Sequence, residues 1–284
     1  MKLLIVGHNG MLGADMVLLA RGAGHEVEGV DYPQIDITKL ESIRAHIGRV
    51  KPAAVINCAA YTAVDACETD ADAAFAVNAT GAGLLARCAQ ERGAALVHYG
   101  TDYVFDGRGS RPYVETDPTG PASVYGKTKL EGEALVQKNC PRAAVLRIAW
   151  LYGLRGNNFV KTIRSVARKN AAAGKPLRVV NDQFGTPTYT VDVCRQTLRL
   201  LEAGAFGLFH STSEGACTWF DFASAIVTAA GIPVRTEPCT TAEFPRPAPR
   251  PMYSVLENAN LKRLGINVMP EWEEGFGEFL KSEN

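Results

Sequence analysis

The sequence predicts an α/β protein built on a doubly wound parallel sheet, with a smaller mixed lobe in its C-terminal half. Three observations carry that expectation. Short apolar runs alternate with longer stretches of helical periodicity as far as residue 149. A glycine-rich loop follows the first apolar run and opens the first helix. After Trp150 the rhythm changes, and asparagine, glycine and proline signals break up the chain. Strands alternating with helices at this spacing belong to parallel sheets with right-handed crossovers. Such strands are covered on both faces, so unbroken apolar runs replace strict alternation.

Taken in order, Leu3–Val6 reads as a buried strand and Met11–Arg21 as a helix with Leu12, Met16 and Leu19 on one face. Gly22 and Gly24 stop that helix, and Val27–Val30 is the next strand. A helix is expected over Thr38–Ile47, with Thr38 as N-cap and Glu41 three residues on. Ala53–Asn57 is the third strand. Asp72–Arg92 is helical despite Gly81 and Gly83, which implies close packing at those two positions. Ala95–Tyr99 is the fourth strand, Ser123–Gln137 a helix and Ala143–Ala149 the fifth strand. Beyond Trp150, helical stretches are expected near 159–169, 190–202 and 218–229, the last begun by Thr218 and closed by Gly231. The reading divides the chain into a Rossmann domain, residues 1–150, and a second lobe, residues 151–284, parts of which can return to the sheet.

Lys plus Arg equals Asp plus Glu, 30 of each, which argues against a bulk electrostatic affinity for nucleic acid or an anionic membrane. The 7 cysteines are irregularly spaced and none forms a CxxC pair, so neither a disulfide framework nor a zinc site is expected. No apolar run approaches the ~20 residues of a membrane helix, and the first strand is too short for a signal-peptide core. These readings place the protein in the cytoplasm.

The loop Gly7-His8-Asn9-Gly10-Met11-Leu12-Gly13 has the spacing GxxGxxG between a strand and a helix. That is the context a dinucleotide fingerprint requires. Glycines permit a tight turn, and the free N–H groups of the helix start suit a pyrophosphate. Asp31 ends the second strand, where an acid can accept hydrogen bonds from an adenosine ribose and repel a 2′-phosphate. Cys58, Ala59 and Ala60 follow the third strand, small enough for a cofactor to lie across the strand ends.

Tyr125 and Lys129 form Tyr-x-x-x-Lys, and positions i and i+4 share a helix face. An ammonium beside a phenol favours the phenolate, so Lys129 is expected to lower the Tyr125 pKa. A tyrosine so tuned can give its proton to a carbonyl oxygen as hydride arrives. Thr101 stands at the C-terminal edge of the fourth strand, where its hydroxyl can orient that carbonyl.

Longer runs carry a resemblance that covers nearly the whole chain. They include Asn57-Cys58-Ala59-Ala60-Tyr61-Thr62-Ala63-Val64-Asp65, Tyr99-Gly100-Thr101-Asp102-Tyr103-Val104-Phe105, Tyr125-Gly126-Lys127-Thr128-Lys129, Arg147-Ile148-Ala149-Trp150-Leu151-Tyr152-Gly153 and Arg246-Pro247-Ala248-Pro249-Arg250-Pro251. In these the chain resembles the dTDP-4-dehydrorhamnose reductase family of extended short-chain dehydrogenases. The resemblance implies reduction of the 4-keto group of a dTDP-4-keto-6-deoxy sugar to give dTDP-L-rhamnose, with NADPH or NADH as cofactor. It implies Thr101, Tyr125 and Lys129 as the catalytic trio, and Asn78 as a support for the lysine. It implies cofactor contacts at Gly7, Asn9, Gly10, Met11, Leu12, Gly13, Asp31, Asp36, Ile37, Cys58, Ala59, Ala60 and Tyr99. The substrate contacts it implies are Thr62, Val64, Asp65, Asp102, Tyr103, Trp150, Asn158 and Arg250, with the Arg250 guanidinium toward the diphosphate. Some members of the family are dimers with a carboxylate-bound magnesium ion. Asp15 stands at one such position, but 189–191 reads Tyr-Thr-Val, so no metal is expected here; a homodimer stays open. Two rival readings share the fold: another sugar-nucleotide epimerase or reductase, and a catalytically silent regulatory subunit resembling the methionine adenosyltransferase β-subunit. Intact Thr101, Tyr125 and Lys129 weigh against the silent reading.

Overall fold

The computed structural model describes residues 1–283. Its first half follows β1 (Lys2–Val6), α1 (Met11–Gly22), β2 (Glu26–Val30), α2 (Leu40–Val50) and β3 (Ala54–Asn57). A long helix comes next in three pieces: α3 (Ala71–Phe75), a π-helical stretch Ala76–Gly81 and α4 (Ala82–Glu91). Then come β4 (Ala95–Thr101), α5 (Val124–Asn139) and β5 (Ala143–Ile148). The second half holds β6 (Leu151–Tyr152), α6 (Phe159–Ala172), β7 (Leu177–Val180), β8 (Phe184–Gly185), β9 (Thr188–Tyr189) and α7 (Thr190–Ala203). It ends with β10 (Gly207–His210), β11 (Cys217–Thr218), α8 (Trp219–Ala229), β12 (Thr236–Cys239), α9 (Ala259–Arg263) and α10 (Trp272–Ser282).

Six strands form one parallel sheet in the order β10-β5-β4-β3-β1-β2. Leu3 and Ile5 face one apolar layer with α1 and α7; Leu4 and Val6 face the other, with α2 and α4. Alternate residues of one strand thus reach opposite cores, which explains the unbroken apolar runs. The sixth strand, β10, and the helix before it come from residues 190–210, so the second half of the chain completes the sheet as well as forming a lobe. That lobe has its own core, in which Tyr152, Tyr189, Phe222, Phe276 and Phe279 pack together. Helix α10 was not legible as such: Trp272, Phe276 and Phe279 lie on its buried side, but two glycines dilute the helical signal.

Two local expectations are corrected. Thr38 does not cap α2, whose N-cap is Lys39. The Thr38 hydroxyl and N–H both donate to Asp36 Oδ1, at 2.6 and 3.0 Å, and this local turn commits the side chain before the helix begins. The helix over 72–92 is interrupted by a π stretch. Its glycines do serve close packing: a Cβ at Gly81 would lie 3.0 Å from Ile37, and one at Gly83 would lie 3.0 Å from Leu135. Thr218 caps α8 through a reciprocal bond pair with Asp221, and Gly231 follows in the left-handed region. All seven cysteines are free thiols. Among the described residues, no helix is long and apolar enough to cross a membrane.

Candidate active site

The C-terminal ends of β1, β3, β4 and β5 meet at one edge of the sheet, because the register pairs Val6 with Asn57, Asn57 with His98, and Thr101 with Ile148. The strand order reverses between β1 and β3, and open parallel sheets bind ligands at such a point. Two adjoining hollows lie there. One, of about 310 Å³, is lined by Gly7, Gly10, Asp31, Asp36, Ile37 and Cys58–Ala60 among others. The larger, of about 580 Å³, runs from Gly10, Met11 and Leu12 past Tyr99, Thr101, Tyr125 and Lys129 to Trp150.

The glycine loop fits a dinucleotide on its own geometry. Gly7 has φ +80°, and a Cβ there would sit 2.6 Å from the Ala59 nitrogen. A Cβ at Gly13 would sit 2.1 Å from the Gly7 carbonyl oxygen, so only glycine lets α1 begin this close to β1. Helix α1 has no side-chain cap and no acidic residue in its first turn. Its first N–H groups are therefore left for an anion, with the helix dipole favouring negative charge. Asp31 accepts from the Asn9 N–H at 3.0 Å and from the Tyr32 N–H at 2.8 Å, and so also braces the loop. Asn57 accepts from the Ala59 N–H at 3.1 Å and contacts His98 at 3.1 Å, which shapes the turn after β3.

In the larger hollow, α5 starts at Ser123, whose hydroxyl caps the Gly126 N–H at 3.1 Å. This presents Tyr125 and Lys129, one turn apart, to the end of β4. Lys129 Nζ donates to the Tyr99 carbonyl at 2.6 Å. Burial lowers the lysine pKa to about 8, and the Glu133 carboxylate opposes that. Burial pushes the Tyr125 phenol up, opposed first by its hydrogen bond with Thr101. The expected lowering by Lys129 is thus corrected: desolvation of the buried ring dominates and pushes the phenol up, so Tyr125 keeps its proton. The Thr101 hydroxyl donates to Asp102 Oδ1 at 3.0 Å and accepts from the Tyr103 N–H at 3.3 Å. Asp102 is buried, which raises its carboxyl to about 6, opposed by hydrogen bonds from Ser254 and Thr101. The Tyr103 ring stands edge-on to Tyr125, with centroids 5.5 Å apart.

Across the hollow, Trp150 takes φ +45° and stacks on Trp219, with ring centroids 3.4 Å apart and planes 7° from parallel. A Cβ at Gly185 would lie 2.3 Å from the Trp150 ring, so a glycine is needed behind it.

The chain matches the family model described as RmlD substrate binding domain over residues 1–284. It belongs to this family. The solved dTDP-4-dehydrorhamnose reductase of Clostridium acetobutylicum ATCC 824 is 45% identical, with 99% of each chain covered and a TM-score of 0.95. The dTDP-4-dehydrorhamnose reductase of Bacillus anthracis str. Ames, solved in complex with NADP, is 35% identical with 99% of each chain covered and a TM-score of 0.94. A curated relative from Streptomyces antibioticus, named a probable dTDP-4,6-dihydroxy-2-methyloxan-3-one 4-ketoreductase, is 40% identical over 100% of this chain and 97% of its own.

Of the residues singled out in the sequence of this RmlD-family chain, most line the two hollows. Five do not. Asn9 offers its backbone to Asp31, and Gly13 is a packing residue. Asn158 caps α6 through the Lys161 N–H at 3.1 Å and donates to the Gly153 carbonyl at 2.7 Å; its neighbour Asn157 is the one in the wall. Asp65 and Arg250 are paired at 2.8 Å, and the same carboxylate accepts from the Ala248 N–H at 3.2 Å. Arg250 thereby ties the proline-rich loop to the turn after β3, and with Tyr103 and Ser123 it lines a small hollow of its own. Asn78 bridges the Tyr61 backbone and the Thr128 hydroxyl at 2.8–3.0 Å, and these bonds go to the loop and to α5 rather than to Lys129. Wall residues that the sequence did not single out include Ile148, Gly156 and Trp219. Trp219 opens α8, and an aromatic at a helix start carries no signal of its own.

Proposed function

We propose that this chain catalyses the NAD(P)H-dependent reduction of the 4-keto group of a dTDP-4-keto-6-deoxy sugar, giving dTDP-L-rhamnose or a closely related product. The observation that carries the reading is the convergence of Thr101, Tyr125 and Lys129 on one 580 Å³ cleft beside the glycine loop. Gly7, Gly10 and the start of α1 would hold the cofactor's pyrophosphate, and Asp31 would stand by its adenosine ribose. A bound reduced nicotinamide supplies the hydride. The Thr101 hydroxyl orients the sugar carbonyl, and Tyr125 Oη, which burial keeps protonated, gives its proton to the carbonyl oxygen as negative charge develops there. Lys129 donates hydrogen bonds at the cofactor side of the tyrosine. The Trp150–Trp219 stack forms the apolar wall that excludes water from the sugar. Both solved relatives named above are dTDP-4-dehydrorhamnose reductases, and one holds NADP. The Streptomyces relative's name specifies a different deoxy sugar, so the exact sugar belongs to the test. Seven unpaired thiols fit a reducing cytoplasm.

The test is oxidation of NADPH and NADH by the purified protein with dTDP-4-keto-6-deoxy sugars of both kinds. Turnover with dTDP-L-rhamnose appearing is the expected result. Tyr125→Phe should bind NADPH as before and lose turnover by about 10²-fold or more, since only the transferred proton is deleted. Near-normal kcat in that variant would remove Tyr125 from its role.

A further inference from the structure

Behind the catalytic trio lies an ion pair that the mechanism above does not use. Glu133 sits one turn beyond Lys129 on α5, so Tyr125, Lys129 and Glu133 form a single stripe. Its carboxylate takes three hydrogen bonds from Arg147 of β5: Nε at 3.0 and 3.2 Å and Nη2 at 2.8 Å. The two side chains are only 3% and 4% exposed. The carboxylate also lies against the backbone of β4. A Cβ at Gly100 would be 2.2 Å from Glu133 Oε1, and the Thr101 N–H donates to the same group. Arg147 rests over the Phe105 ring at 5.1 Å.

Stability does not account for such a pair, because well-packed apolar residues of the same volume commonly serve the fold as well or better. Its position does. One carboxylate touches the strand end that carries Thr101 and the helix face that carries Lys129.

We propose that Glu133, held by Arg147, is a positioning residue that places its carboxylate one turn from Lys129 on the same helix face and fixes the backbone at Thr101. The inference rests on the reductase reading above. Several groups face Lys129. From β4 come the Tyr99 carbonyl and His98, whose imidazole burial keeps neutral. From α5 come Tyr125 and Glu133; Arg147 of β5 stands behind Glu133; Cys58, after β3, shares the cleft as a thiol that burial keeps protonated. The turn Ala66–Glu68 reaches only the start of α5, where Glu68 accepts from the Val124 N–H at 2.8 Å. Glu133 is therefore the group that supports the lysine's charge against burial.

The experiment measures NADPH affinity by fluorescence titration from pH 6 to 10, with kcat followed in parallel. A charged lysine holds the anionic cofactor by charge as well as by hydrogen bonds, so wild-type affinity is highest below its pKa of about 8 and weakens as pH rises through it. Glu133→Gln should move that limb about one unit toward acid, as loss of a neighbouring opposite charge does. The double variant Glu133→Gln/Arg147→Met removes both charges, leaves no unpaired guanidinium, and should show a smaller shift in the same direction, because loss of the guanidinium charge partly offsets loss of the carboxylate. Glu133→Asp should restore most of the wild-type limb. A folded Glu133→Gln variant with a wild-type limb overturns the proposal, and so does failure of both variants to fold, which would make the pair purely structural. If wild type binds NADPH with the expected limb but reduces no dTDP sugar, the substrate reading fails while this inference stands.

Discussion

At the scale of single residues, the site is governed by what burial does to ionisable groups. A buried phenol resists ionisation and a buried ammonium resists charging. Tyr125 and Lys129 show both effects on one helix face. A reductase needs its tyrosine protonated until the carbonyl oxygen gains electrons, so the upward push on Tyr125 suits the direction of the reaction. Asp31 is governed by geometry instead. Its carboxylate is fixed by two backbone N–H groups at the edge of the smaller hollow. A 2′-phosphate would bring negative charge close to it, and such a pair in a solvated site repels by ~1 kcal/mol. Asp31→Ala is therefore expected to raise the kcat/KM ratio of NADPH over NADH about fivefold. An unchanged ratio in steady-state assays with both cofactors would show that Asp31 does not read the ribose.

At the scale of elements, two helices approach closely enough to fix where the catalytic stripe points. A Cβ at Gly132 of α5 would lie 2.1 Å from the carbonyl oxygen of Asn78, inside the π-helical stretch. The extra residue of a π turn moves that carbonyl toward α5, and the glycine lets the helix settle against it. Asn78 then ties the loop after β3 to Thr128 on α5. Gly132→Ala would improve helix propensity, yet the obstacle is rigid backbone, and overpacking of this kind costs about 1–3 kcal/mol. Thermal unfolding should show Tm lowered by roughly 3–10 °C. An equal or higher Tm would mean that the two helices separate without cost.

At the scale of the whole molecule, the cleft exists because the chain returns to its own sheet. Helix α7 packs beside α1 in one core, and β10 then pairs with β5. This return holds the C-terminal lobe over the strand ends. The Trp150–Trp219 stack spans the junction, one ring following β5 and the other opening α8. Phe159 supports Trp219 with ring centroids 4.4 Å apart. An aromatic pair adds ~0.5–1.5 kcal/mol beyond its burial. Trp219→Ala is thus expected to raise KM for the sugar nucleotide about 3- to 10-fold while NADPH affinity stays within twofold. A sugar KM equal to wild type would place Trp219 outside the binding wall.

The sequence alone determined the doubly wound sheet, the strand-to-helix glycine loop, and the stripe of Tyr125 and Lys129. Each of these is written in local spacing: apolar runs, glycines at fixed offsets, two residues one helical turn apart. Only the tertiary structure decided the rest. It brought residues 190–210 back into the sheet, paired Asp65 with Arg250, set Trp219 against Trp150 and buried Glu133 with Arg147. The physical reason is the same in each case. A charge or an aromatic ring far along the chain has no periodic signature of its partner. Whether Arg250 meets a carboxylate, and whether a buried tyrosine gains or loses its proton, depends on which atoms the packing places around it.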